Sequence, residues 1–158
     1  MRKENWLFGG VYGTVLASAL LAALQRDGGG YTPYYDAAWI MVTAGTAALA
    51  HGYAHHMSTH EQGSAGHRWR QLCRTLVAEW PMVVACLPTV LLLVAAGFFD
   101  WPESDVTTIA LSLNAGLLLG WGTFAALSQG YRRRSAVAIG SADAAIGLLI
   151  AGANALIK

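Results

Sequence analysis

Five apolar stretches, each about as long as a hydrocarbon core is thick, dominate this chain. A helix rising 1.5 Å per residue needs about 20 residues to cross a core about 30 Å deep. Blocks of that size fall at about 6 to 25, 37 to 57, 80 to 99, 107 to 128 and 136 to 157. Of the 158 residues, 55% are hydrophobic and 12% charged, about half the charged share of an ordinary soluble domain. The fold class this implies is all-α, a polytopic membrane bundle of five transmembrane helices forming one domain over residues 1 to 158. Met1-Arg2-Lys3-Glu4-Asn5 resembles the start of a signal peptide, but no small-residue cleavage site precedes Gln25-Arg26-Asp27. The first block therefore reads as a retained helix.

Charge is distributed by loop. The net charge of +1 gives no reason to expect nucleic-acid binding. Arg2 and Lys3 precede block one, Arg68, Arg70 and Arg74 separate blocks two and three, and Arg132, Arg133 and Arg134 separate blocks four and five. The alternate loops hold Arg26 with Asp27 and Asp36, then Asp100, Glu103 and Asp105 with no base. Short basic loops stay in the cytoplasm, so the expected N-terminus is cytoplasmic and the C-terminus outside, in a plasma (inner) membrane. Trp39, Trp80, Trp101, Tyr34 and Tyr35 fall near block ends, where amphipathic rings suit the headgroup zone.

Gly28-Gly29-Gly30-Tyr31-Thr32-Pro33 forms a turn-rich outer connection. On the inner side Glu61 to Gly66 reads as a linker. From His67 to Trp80 the residues Trp69, Leu72, Cys73, Leu76 and Trp80 recur at helical spacing, which predicts a short amphipathic helix on the inner membrane face. Gly9, Gly13, Gly116, Gly120, Gly140 and Gly147 recur at spacings that let helices approach closely, and packing is their expected role. Cys73 and Cys86 are too far apart in the layout to pair and read as small apolar residues.

All five histidines, His51, His55, His56, His60 and His67, lie within 17 residues. Imidazole changes charge near physiological pH and is the commonest transition-metal ligand, so the cluster points to proton or metal handling at the inner membrane face. At 100° per residue His51 and His55 share one helix face while His56 and His60 share another. One ion could therefore take at most two of them, and the remaining ligands must come from elsewhere. Interfacial histidines serving only as polar residues are the plain alternative. His51 lies deepest, where desolvation disfavours its charged form unless an acid partners it. Glu79 opens block three at the same level and is a candidate ligand. Asp143, about a third of the way into block five, is an acid at depth of the kind that faces a bundle interior and serves transport, the plain alternative being a shallow residue that snorkels toward Arg132 to Arg134 or caps the helix. Asn114 in block four is a candidate for the same proton or ion path, or for bonding between helices.

Several runs resemble the vacuolar iron transporter family. Phe8-Gly9-Gly10-Val11-Tyr12-Gly13-Thr14-Val15 is similar to its first-helix glycine-aspartate-glycine pattern, and Ala50-His51-Gly52-Tyr53-Ala54 falls where the family has glycine-glutamate-tyrosine. Glu79-Trp80-Pro81 and the link at Gly130-Tyr131-Arg132 are similar too, with Tyr12 and Tyr53 standing where the family has carboxylates. The resemblance implies five spans and a dimer that exchanges ferrous iron or manganese for protons. Histidines replacing acids would favour softer ions such as zinc or iron.

The leading functional expectation is a homo-oligomeric divalent-metal (Fe, Zn or Mn) or proton transporter, favouring a dimer, with the lipid bilayer as its surroundings. The alternatives are a non-transporting accessory or interaction module and a metal- or haem-dependent membrane protein using His51 and His55. The histidine spacing His51-x-x-x-His55-His56 also matches one box of the membrane di-iron hydroxylases, which need about three such boxes.

Overall fold

A backbone amide in hydrocarbon finds no water, so each apolar block must satisfy its own hydrogen bonds, and a helix does this within one segment. The computed structural model describes residues 3–24, 32–58 and 65–157, and every element among them is a helix. These are α1 (Lys3–Leu24), α2 (Pro33–Ser58), α3 (Ala65–Ala78), α4 (Trp80–Phe98), α5 (Glu103–Ser128) and α6 (Arg133–Ile157). The outer connection at 25–31 and the linker at 59–64 lie outside the described residues.

Four segments are long and apolar enough to cross a membrane: Trp6–Leu24, Trp69–Phe98, Glu103–Ser128 and Arg133–Leu156. The 26 residues of α2 are long enough, but Asp36, His51, His55 and His56 dilute its apolar character. The second segment joins α3 to α4, because only Glu79 separates them. At that break the amides of Glu79 and Met82 bond the carbonyls of Leu76 and Glu79, three residues back, so the turn tightens without a side-chain cap. The amphipathic segment is thus nearly continuous with α4. It packs along α2 with Leu72 and Leu76 half-buried, leaving Trp69, Cys73 and Val77 exposed.

α1 occupies the centre and touches α2, α4, α5 and α6, while α5 and α6 form the most extensive helix pair. The core joins Ala17 and Leu21 of α1, Ile40 and Ala44 of α2, Met82, Cys86 and Leu93 of α4, and Val106 and Ala110 of α5. Gly9 and Gly13 make the central contact possible. A Cβ on Gly9 would lie 2.7 Å from the Met82 nitrogen, and one on Gly13 would strike the Met82 carbonyl and sit 2.9 Å from the Ala85 methyl. The approach is close enough for the Cys86 thiol to donate to the Gly13 carbonyl at 3.2 Å. Cys73 is exposed and Cys86 buried, and both are free thiols.

Gly140 and Gly147 likewise pack against α5. Gly116 and Gly120 do not: a Cβ at either meets nothing within 4 Å, so these two glycines face away from the chain's own helices. Regular spacing marks a small-residue stripe without stating which neighbour it faces. On α5 the close-packing glycine is Gly122, against Gly140.

Two helix ends share one geometry. The amide of Tyr131 bonds the Ala126 carbonyl and that of Trp101 bonds the Ala96 carbonyl, each around a residue with positive φ. That residue is Gly130 (φ 86) in one case and Asp100 (φ 51) in the other. Within α4, Pro88 has no N–H to offer the Val84 carbonyl. Just beyond it, the Thr89 hydroxyl donates to Asn114 Oδ1 on α5 at 2.8 Å, where both side chains are fully buried.

Alanine at Gly13 and at Gly116 should act in opposite directions. Gly13→Ala should cost about 1–3 kcal/mol by forcing α1 from α4. Gly116→Ala should gain up to about 1 kcal/mol from helix propensity. Thermal unfolding in detergent micelles measures both.

Candidate functional site at the basic end

One end of the bundle gathers the start of α1, the end of α2, all of α3 and the link between α5 and α6, and it carries Arg70, Arg74, Arg132, Arg133 and Arg134. Here the close packing of Gly52 against Leu76 and Glu79 draws the α2 backbone onto the junction of α3 and α4. Its neighbour His51 thereby meets Glu79, with Nδ1 3.0 Å from Oε2. At that distance the imidazole N–H donates to the carboxylate. The acid is 9% exposed, whereas the imidazole keeps 43% of its surface. His51 thus has the acid partner that its depth called for and is also partly exposed.

Phe8 of α1 stacks on the imidazole, with ring centroids 5.1 Å apart and planes 25° from parallel. Phe8, His51, His55, Arg74, Thr75 and Glu79 line an open cleft of about 420 Å³. This arrangement places an imidazole–carboxylate hydrogen bond on the wall of an open cleft that Arg74 also lines.

The three histidines whose side chains are described do not share one site. His51 and His55 line the cleft, and His56 is half-buried outside its lining. His60 lies outside the described residues, as does the side chain of His67. Among the described residues no three His, Cys, Asp or Glu side chains gather within reach of one metal ion. The 100° turn per residue parts His56 from His51 and His55.

Asp143 lies elsewhere. Its carboxylate packs against Gly122 of α5, where only a glycine leaves room for it. It thus faces the α5–α6 contact and is not among the residues lining the histidine cleft. The level is nevertheless similar: Gly10 of α1 packs on Trp121, which precedes Gly122, while Phe8 packs on His51. Asp143 and the His51–Glu79 pair are thus linked, through Trp121 and Phe8, to residues of α1 two positions apart. Asn114 sits two helical turns from Gly122 along α5 and bonds Thr89, as an interhelical polar contact would. Thr46 returns its hydroxyl to the Val42 carbonyl at 2.8 Å.

Phe8, Arg74, Thr75 and Gly122 escape sequence reasoning. Only Gly52, adjacent to His51, hints at close approach of the junction.

His51→Ala would leave a nearly buried carboxylate without its imidazole. The expected loss is about 1 kcal/mol, held down by solvent at the exposed ring. His51→Ala combined with Glu79→Gln should recover part of it in a thermal-unfolding cycle. No family model matches the chain, and no curated protein or solved structure matches it either.

Proposed function

We propose that this chain is an integral membrane transporter of five spans whose His51–Glu79 pair takes up and releases a proton at the cytoplasmic face. The observation that carries this reading is the 3.0 Å imidazole–carboxylate contact in an open cleft. A salt bridge serving stability alone gains little from an exposed, titratable partner. α2 provides the fifth span, since Pro33 packs at Gly97 at one end of α4 and Gly52 at Glu79 at the other, so the two helices cover one length. With α2 counted, the clustered arginines all fall at one end, which short basic loops place in the cytoplasm.

The proton drives a divalent transition metal, iron, zinc or manganese. The described side chains of the cleft do not bring three ligands to one point, and Arg74 lies among them, so the cleft suits the proton better than the metal itself. Asp143 is the acid on the metal's route, and a second protomer supplies what one chain lacks. This keeps the homo-oligomer and the likeness to the vacuolar iron transporters within one reading.

A second reading, a non-transporting interaction module, is favoured by Gly116 and Gly120, which face outward with none of the described residues upon them.

Reconstitution in liposomes with a lumenal pH dye tests the choice. Proton movement dependent on added Zn²⁺ or Mn²⁺ should fall at least about tenfold in His51→Ala and Glu79→Gln, and also in Asp143→Asn. Equal flux in wild type and all three variants overturns the transport reading, and a stoichiometric copurifying partner then supports the module.

A further inference from the structure

The opposite end of the bundle carries a second cleft, of about 580 Å³, between the start of α2 and the end of α4. Tyr34, Tyr35, Asp100 and Trp101 line it, with Thr32 and Gly97. The Tyr34 ring lies so close to Gly97 that a Cβ there would come within 3.0 Å of it, so α4 holds that ring in place. Trp101 is stacked by Phe99 at 6.2 Å, which fixes a second aromatic wall. Tyr34, Tyr35 and Trp101 nevertheless remain substantially exposed, at 55%, 57% and 39%.

Asp100 is the unusual member. Its φ of 51° lies in the left-handed region, which suits glycine, and the matching position at the end of α5 is Gly130. A carboxylate is thus held, at a conformational cost, on the rim of an aromatic cleft. The charged residues described at this end are Asp36, Asp100, Glu103 and Asp105, with no lysine or arginine among them. Aromatic faces attract cations through their quadrupoles, and a carboxylate beside them adds Coulombic attraction. Headgroup-zone aromatics need only point outward, whereas these line a concavity around an acid.

We infer that the cleft formed by Tyr34, Tyr35, Asp100 and Trp101 binds an organic cation of the quaternary or alkylated ammonium class. The inference is independent of proton handling at His51 and Glu79. The same chemistry is offered by a free solute and by the choline headgroup of a lipid.

Tetramethylammonium chloride titrated into the full-length protein in maltoside micelles, followed by saturation-transfer NMR of its methyl protons with sodium chloride as the ionic control, tests it. The signal should saturate on the order of 1 mM. Asp100→Gly removes the carboxylate while relieving the left-handed backbone, so it folds at least as well as the parent, and it should weaken binding roughly tenfold. Trp101→Leu should do the same. Repetition in nanodiscs of equal net charge identifies the source: weaker binding in phosphatidylcholine than in phosphatidylethanolamine means that the choline headgroup occupies the cleft, and equal binding means a free solute. A signal that fails to saturate, or one unchanged in both variants, overturns the proposal.

Discussion

The closeness of the α1 and α4 backbones at Gly9 and Gly13 is the constraint from which the rest of the arrangement follows. In lipid there is no hydrophobic drive to join two apolar helices, so van der Waals contact and polar bonds must hold them. Two absent side chains let α4 settle against α1, and the Cys86 thiol then reaches the Gly13 carbonyl. Once α4 is seated, Phe8 on α1 covers His51 on α2 and Gly10 receives Trp121 on α5. The central helix thus sets the level at which three other helices present their polar groups.

The two ends of the bundle solve different electrostatic problems. At the basic end a nearly buried carboxylate at the junction of α3 and α4 is balanced by an imidazole from α2. At the other end the acids stand without described basic neighbours, and aromatic rings collect around one of them. Between these ends most polar groups are small and bonded locally: Thr14 bonds Gly10, Ser18 bonds Thr14, and Thr89 bonds the Asn114 oxygen, leaving the buried Asn114 Nδ2 without a partner among the described residues.

Much of the helical layout is legible in the sequence because block length and apolarity act locally. The level shared by His51 and Glu79 is legible for the same reason, since each stands near the end of its block. Partner choice is harder to read. Gly116 and Gly120 show the same spacing as Gly9 and Gly13, yet only the latter pair meets another backbone, because spacing sets a face and not its neighbour. Gly122 was hidden because its reason lies on α6, in Gly140 and Asp143. Convergence of the histidines was never encoded by their proximity in the chain, as the helical turn separates near neighbours. The near-continuity of α3 with α4 was masked by Glu79, whose charge resembles a boundary although the chain barely interrupts its winding there.

Pro88 gives α4 a mechanical character that its neighbours lack. The missing ladder bond to Val84 falls between two anchoring points, the Cys86 thiol on α1 and the Thr89 hydroxyl on α5. Bending stiffness is lowest where a rung is absent, so the two halves of the rod can flex about this point while each stays tethered to a different companion.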